Sequence, residues 1–437
     1  MNGKCALFHA SDVPAAGCAM EVSDMQAIVR EGFRWTFAVL VVAAHSEQGM
    51  CENEGEVNVS RHLGVAGRVN LGSYYTPARY VRTVGVWLRE LGIGAGWTIA
   101  DLSCGYGAFF ELADIEGLDK CRYVGNDIDP VAVGKARQYF PHVMFSEGNV
   151  LFRVSRKRFG FQPGERIVIV GNPPYNDTTS QAGQSLKTDS IQIDADLKTR
   201  DLGMSSLLAY DKIQADYVAV LHPLSYLIKK QNFSAARAFF ANYALVRHVV
   251  FSSREFAGTS RAVNFPVVVA LYRRAEGHGL SYEDVRRMWF GTVEGNWFSL
   301  SGFDYVTDEI DKYPVKRRYH PEILFYTLRD MNALHRSQTF LVRRIPNAVD
   351  VDPAKLAYYC YVDCFKRFAE VPYYLGNFNI PFIRDEFVDV KDDVVQIAKY
   401  AHPDVFGEQA KPERKAYERV RKYISRSIKG KECPHAD

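Results

Sequence analysis

Trp97-Thr-Ile-Ala-Asp-Leu-Ser-Cys-Gly-Tyr-Gly-Ala-Phe109 runs from an apolar stretch through a glycine-punctuated turn into a new periodicity. Residues 97–102 read as a strand, 103–107 as the turn, and Ala108–Asp114 as the start of a helix. The same grammar repeats downstream. A strand at 122–126 leads through an acidic turn into a helix at 130–140, and 142–145 is a short strand. Residues 166–171 (RIVIVG) form a β-branched strand stopped by Asn-Pro-Pro. Further strands are expected at 217–221, 246–251 and 265–272. Strands alternating with helical stretches predict an α/β fold, a Rossmann-like doubly wound sheet with helices on both faces. In such sheets the ligand lies at the carboxyl ends of the strands, where the unusual turns fall here.

Past about residue 280 this alternation stops. Aromatic and basic residues mix in irregular stretches such as 313–320 (YPVKRRYH) and 371–382 (VPYYLGNFNIPF). A boundary near 275–285 is expected, dividing a core domain over 71–280 from a C-terminal, mixed α/β domain over 281–437. Residues 411–431 hold nine Lys or Arg against two Asp or Glu and read as a basic tail. Residues 1–70 form an extension of uncertain role, and Met20, Met25 and Met50 leave open a start further along.

The 437 residues carry a formal charge of +3, with 47% hydrophobic and 24% charged residues. This is the make-up of an ordinary globular protein. The chain as a whole is no basic nucleic-acid coat, so any such binding must come from local clusters. The eight cysteines form no C-x-x-C pair and no Cys/His spacing typical of zinc, so no metal is expected. Cys360 and Cys364, one helical turn apart, read as core. A reducing, cytoplasmic setting is expected. The longest apolar run, 35–44, is far short of the roughly 20 residues of a membrane helix.

Three turns carry the candidate chemistry. In the first, Gly105 and Gly107 flank the tight bend after Cys104 and let backbone pass under a ligand. Helix amides beyond can face a carboxylate, and Asp101 at the strand end can hold an ammonium group. The bland alternative is a tight strand–helix connection. In the second, Val124-Gly-Asn-Asp-Ile-Asp-Pro130, Asp127 lies 26 residues after Asp101, near the distance at which an acid takes ribose hydroxyls. Ile128 accompanies it as a cofactor contact. Asp129 is expected to cap the helix that Pro130 opens. The third glycine of G-x-G-x-x-G is missing, which argues for a nucleoside-like ligand over a dinucleotide.

The third turn, Gly171-Asn-Pro-Pro-Tyr-Asn176, is the sharpest. Its prolines fix the backbone and carry no amide hydrogens, so carbonyls are presented outward. Asn172 adds a side-chain carbonyl, and with the Pro173 carbonyl makes an acceptor pair for an NH2 group on a flat substrate. Pro174 stiffens the turn, and Tyr175 offers a ring to stack on.

Residues 74–272 resemble the amino-methyltransferases of DNA with the gamma order of motifs, the NPPY family of restriction-modification systems. Tyr74-Tyr-Thr-Pro77 is similar to the leading methionine-binding motif, through Tyr75, Thr76 and Pro77. Asp101–Phe109 is similar to the family's D-P-A-C-G-S-G-A-F, from which Leu102 and Tyr106 depart. Asp127 matches the ribose acid, and Gly148-Asn-Val-Leu151 resembles the adenine-contacting segment, with Asn149 where Asp is frequent. Asn172–Tyr175 matches the catalytic motif residue by residue, His222-Pro-Leu-Ser-Tyr226 resembles the strand end that follows, and 256–266 the loop that helps hold a flipped base.

The resemblance implies S-adenosyl-L-methionine as cofactor and direct transfer of its methyl group to the N6 amine of adenine in double-stranded DNA. The base would be flipped from the duplex and stacked on Tyr175. Asn before Pro-Pro-Tyr favours adenine over cytosine N4, and no Pro-Cys-Gln segment supports cytosine C5 chemistry. The family's target-recognition domain follows its catalytic one, as 281–437 does here, and a separate cognate restriction endonuclease is a possible partner. The irregular aromatic-basic stretches there make Lys316, Arg317 and Arg318 candidate DNA contacts and 411–431 a tail that tracks the DNA backbone, with a solvated basic helix as the bland alternative. Asn-Pro-Pro-Tyr also occurs in enzymes that methylate a glutamine amide of release factors and in some rRNA guanine methyltransferases. These alternatives stay open, as does a binding module without turnover.

Overall fold

The computed structural model describes residues 76–175, 192–256, 264–431 and 433. The readings of residues 1–75 (Tyr75 among them), of Asn176 and of 257–263 lie outside the described residues. The described residues belong to one compact unit.

The described part is an α/β fold built on a seven-stranded sheet of order β3-β2-β1-β4-β5-β7-β6. The strands are β1 (Trp97–Asp101), β2 (Arg122–Asp127), β3 (Met144–Glu147), β4 (Arg166–Gly171), β5 (Tyr217–Pro223), β6 (Tyr243–Ser252) and β7 (Pro266–Arg274). β1 to β5 pair in parallel, whereas β7 runs antiparallel to both β5 and β6. From β1 the chain winds outward through β2 and β3, then returns to place β4 and β5 on the other side. The winding therefore reverses between β1 and β4. Crevices form at the carboxyl ends of strands flanking such a reversal.

Both faces of the central strands are buried, which explains the unbroken apolar run of β4. Val168 and Val170 face one way, into a cluster with Ile99, Leu221 and the buried side of helix α1 (Ala78–Glu90): Tyr80, Val81, Val84 and Leu88. Ile167 and Ile169 face the other way, against Leu207 and Tyr210 of a longer-range partner (Leu202–Ile213). Between these elements in the chain, α2 (Pro130–Tyr139) leans on β2 and β3. We label Leu202–Ile213 α3; Asp201 caps it by accepting from the amides of Gly203 and Met204.

Two local expectations shift. Ala108–Asp114 is a 3-10 helix rather than an α-helix. It starts from Gly107 at φ 90°, where an added Cβ would lie 2.8 Å from the Phe110 ring. The third strand is Met144–Glu147 rather than 142–145, because its register pairs Met144 with Val124 and Glu147 with Asp127.

Among the described residues beyond Arg274, no further strand joins the large sheet. The remainder holds short strand pairs, a three-stranded sheet of Leu324–Tyr326, Phe340–Leu341 and Ala348–Asp350, and three longer helices. These are α4 (Leu356–Phe368), α5 (Lys391–Ala401) and α6 (Arg414–Lys429). The basic tail read from the sequence is α6, and it is not a free tail. Ala416, Val420, Tyr423, Ile424, Ser427 and Ile428 form a buried stripe at helical spacing. Its cations stand on the outer side, and Arg414, Arg419 and Arg426 pair with Glu418, Asp393 and Glu386. Cys360 and Cys364 are buried, free thiols on α4.

Candidate active site at the sheet reversal

Asp101, Asp127 and Gly171 end β1, β2 and β4 on the same edge of the sheet, which brings the three turns together. Asp101 is 3% exposed, and its Oδ1 accepts from the Ser103 amide at 3.1 Å. Burial pushes its carboxyl up to about 8; the Ser103 amide opposes that, and the neighbouring Asp127 charge adds to it. Gly171 lies hard against this group: an added Cβ would stand 2.9 Å from Asp101 Oδ1, at a backbone φ of 153°. An L side chain there is excluded twice, by conformation and by space.

The Asp127 carboxylate spans the two turns. Oδ2 accepts from the Gly105 amide at 2.7 Å and Oδ1 from the Asp129 amide at 2.9 Å. Burial raises its pKa as well, with these amides pulling the other way. Ile128, the next residue, is 47% exposed. Asp129 caps α2, its Oδ1 accepting from Val131 at 2.9 Å. Cys104 is buried, its amide donates to the Asn126 carbonyl at 3.0 Å, and burial lifts its thiol well above the usual range. It shapes the turn as a neutral group.

Tyr106, between the two glycines, lies under the Lys135 ammonium at 5.6 Å from the ring centroid. Thr76 is buried and Pro77 stands at the N-terminus of α1, its carbonyl accepting from Tyr80 at 3.0 Å. The Asn149 side chain is absorbed by its own surroundings: Oδ1 accepts from Leu151 at 2.9 Å, and Nδ2 donates to the Gln192 carbonyl.

On the turn after β4, the Tyr175 hydroxyl donates to Asn172 Oδ1. The Tyr175 ring is half-buried and rests tilted against Phe256, centroids 6.4 Å apart. Pro173 is buried and Pro174 half-buried.

Asn126 was missed by sequence reasoning. It is buried; Nδ2 donates to the carbonyls of Leu102 at 3.1 Å and Gly148 at 2.9 Å, and Oδ1 accepts from Ser146 at 3.1 Å. It thus ties together the ends of β1, β2 and β3. The available signal was an amide side chain just inside a buried strand end, where an unpaired polar group is costly.

Lys316, Arg317 and Arg318 are exposed, and Arg318 reaches the three-stranded sheet. Arg318 pairs with the buried Asp350 at 2.7 Å, which also receives both terminal nitrogens of Arg344, at 2.9 and 2.6 Å. Arg317 donates to the Tyr319 hydroxyl at 3.4 Å, with the charges of Asp311 and Asp352 nearby. Among the described residues no cluster of His, Cys, Asp and Glu is arranged to hold a metal ion, and no helix is long and apolar enough to cross a membrane.

No family model and no curated protein sequence matches the chain. Similar solved structures include a candidate RNA methyltransferase from Pyrococcus horikoshii, at 17% identity over 47% of this chain and 88% of that one, TM-score 0.32. Another is the modification subunit of a candidate type I restriction enzyme from Vibrio vulnificus, at 17% identity over 52% of this chain and 49% of that one, TM-score 0.37. A third is the methyltransferase subunit of a type I restriction-modification system from Streptococcus thermophilus, at 14% identity over 53% and 48%, TM-score 0.36. The match spans about half the length of either restriction-modification subunit.

Proposed function

We propose that this chain transfers a methyl group from S-adenosyl-L-methionine to the N6 amine of adenine in double-stranded DNA. The observation that carries the reading is the placement of Asn172–Tyr175 at the end of β4, directly beside Asp101 at the end of β1 and at the point where the winding reverses.

The buried groups suit the cofactor. Asp101 is a carboxyl held near neutrality by burial, so an ammonium group beside it would restore its charge at little cost. Asp127, with an amide on each oxygen, is preset to face ribose hydroxyls with its remaining lone pairs. Exposed Ile128 would cover one face of the adenine. When bound, S-adenosyl-L-methionine supplies an electrophilic methyl on a positively charged sulfur.

The chain's own task is to make a poor nucleophile better. An adenine amine delocalises its lone pair into the ring. Acceptors placed on its two hydrogens favour a pyramidal nitrogen, and Asn172 Oδ1 with the Pro173 carbonyl would serve. The Tyr175 phenol now on Asn172 Oδ1 holds that oxygen in place until an amine shares it. Tyr175 would stack the flipped base. Residues 281–437 would select the target, with Lys316, Arg317 and Arg318 as phosphate contacts. A separate cognate endonuclease belongs to the same reading.

The test is to sequence DNA from cells expressing the chain by a method that detects N6-methyladenine. A methylated motif absent from control cells is expected. Unmodified DNA, with methyl transfer from labelled cofactor to RNA or protein instead, would overturn the substrate assignment.

A further inference from the structure

Arg79 and Tyr80 lie in the first turn of α1, directly after Thr76-Pro77. Arg79 Nη2 donates to the Tyr80 hydroxyl at 2.8 Å, and its guanidinium lies over the Tyr80 ring at 4.8 Å. Both groups converge on one carboxylate oxygen, Glu255 Oε2, which accepts from the Tyr80 hydroxyl and pairs with Arg79. Tyr80 is 2% exposed and stacks on Phe251 of β6, centroids 3.9 Å apart. Burial pushes its phenol above the ordinary tyrosine range, so it stays a donor throughout the neutral region.

Glu255 ends the short turn Ser253–Glu255 that follows β6. The next residue, Phe256, is buried edge-on against Phe251 at 5.5 Å and tilted against Tyr175 at 6.4 Å. Tyr175 in turn holds Asn172. A path therefore runs from the first turn of α1 to Glu255, along the backbone to Phe256, and through the Tyr175 ring to the acceptor oxygen of the catalytic turn. Glu255 is the polar junction of that path. An ion pair with Arg79 half exposed would count for little by itself. The buried Tyr80 donor fixes the geometry, because leaving that hydroxyl without an acceptor is costly.

We propose that Glu255 is a positioning residue for amine recognition: it fastens the Ser253–Phe256 turn to α1, so that Phe256 sets the Tyr175 ring and, through its phenol, the Asn172 side chain. The functional half of this proposal rests on reading Asn172–Tyr175 as the seat of the acceptor amine; the tether does not. A tyrosine ring turns as a rigid plate about its Cα–Cβ and Cβ–Cγ bonds, so its packing against Phe256 decides where the hydroxyl sits. Misplacement of a reacting group by about 1 Å can cost up to a hundredfold in rate.

The full-length chain and its Glu255→Gln, Glu255→Ala, Arg79→Met and Arg79→Lys variants are compared by hydrogen exchange, melting temperature, cofactor titration and methylation kinetics on an adenine-containing duplex. Faster exchange, by about tenfold, is expected in Glu255→Ala for peptides covering 252–256 and 171–175, with β1 unchanged. Glu255→Gln keeps an acceptor for Tyr80, and Arg79→Lys and Arg79→Met leave that acceptor in place, so all three are expected to stay near wild type. In kinetics, kcat is expected to fall about tenfold in Glu255→Ala while cofactor affinity stays within about twofold. Unchanged exchange at 171–175 in Glu255→Ala would overturn the tether. So would faster exchange everywhere with a collapsed melting temperature, which would mark a merely structural role. Wild-type protein that methylates no adenine would defeat the reading of the catalytic turn, and the exchange result would still decide the tether.

Discussion

The phenol of Tyr175 donates to the side-chain carbonyl of Asn172, three residues before it on one proline-stiffened turn. The two residues that the motif treats as separate tools, an acceptor and a stacking face, are thus mechanically one unit. The hydroxyl orients the acceptor oxygen while the ring faces Phe256. On the proposed reading, a substrate amine arriving at Asn172 would meet an oxygen already aimed by the Tyr175 phenol.

Three substitutions separate these jobs. Asn172→Ala removes the acceptor needed most as the nitrogen becomes pyramidal, so turnover should fall by roughly 10²-fold or more with DNA affinity nearly kept. Tyr175→Ala removes a stacking face worth roughly 1–3 kcal/mol per base, so flipping and rate should fall together. Tyr175→Phe keeps the ring and frees the oxygen; flipping should persist and turnover drop by less than about tenfold. A fluorescent adenine analogue at the target position reads flipping apart from methylation. Near-wild-type methylation by the Asn172 variant would sink the mechanism.

Asp127 has structural work besides its proposed ribose contact. Asp127→Ala should weaken cofactor binding by on the order of 1.5–3 kcal/mol. It should also loosen the glycine turn, since Gly105 and Asp129 lose their acceptor. Asp129 holds the cap of α2, so Asp129→Ala should cost about 1 kcal/mol of stability and leave cofactor affinity alone. Calorimetric titration and thermal melting on both variants check this. Equal affinity losses would mean that neither acid is specifically a ligand group.

Strand periodicity made the sheet legible, because β4 and β7 are buried on both faces and read as continuous apolar runs. The order of the strands was not legible: nothing local to β7 records that it inserts antiparallel between β5 and β6. At the site, carboxylates at strand ends could be picked out by type and spacing. Asn126 could not, since its role depends on partners at two other strand ends, Leu102 after β1 and Ser146 and Gly148 at the end of β3. Nor does spacing reveal that Asn149 Oδ1 accepts from the Leu151 amide and its Nδ2 donates to the distant Gln192 carbonyl. In α6 the count of cations hid an apolar stripe that was present in the spacing of Val420, Tyr423, Ile424 and Ile428.

That stripe changes how the basic segment must be probed. Tyr423 donates to the Ile383 carbonyl at 2.8 Å and accepts from its amide at 2.9 Å, while Ser427 and Tyr361 are 3.0 Å apart. Removing α6 would expose this core, so truncation should abolish folding rather than tune DNA affinity. Val420→Ala alone should cost roughly 1–3 kcal/mol. Lys415→Ala with Lys422→Ala leaves the stripe intact. If α6 tracks the phosphate backbone, the double variant should keep its melting temperature and lower the salt slope of duplex binding by about one to two. An unchanged slope would assign α6 to the core alone.

Asp101 offers the most direct chemical test, because one group links stability and cofactor binding with opposite signs. Its carboxyl is raised to about 8 in the folded chain, against roughly 3.9 for a solvated Asp. Between these values the folded state holds a proton that the unfolded state has lost. Stability is therefore greatest near the unfolded pKa and falls as pH rises towards 8. Asp101→Asn keeps an acceptor for Ser103 and carries no charge. It should be more stable than wild type by roughly 1–3 kcal/mol at pH 8, with the gap closing near pH 4. Cofactor binding should run the other way. An ammonium group needs the ionised carboxylate, so wild-type affinity should rise by up to about tenfold per pH unit between 6 and 8. In Asp101→Asn that rise should disappear and affinity be low throughout. Melting curves and calorimetric titrations across pH 5 to 8.5 measure both. A wild-type affinity independent of pH would remove Asp101 from the ammonium site and leave it as a buried acid packed beneath Gly171.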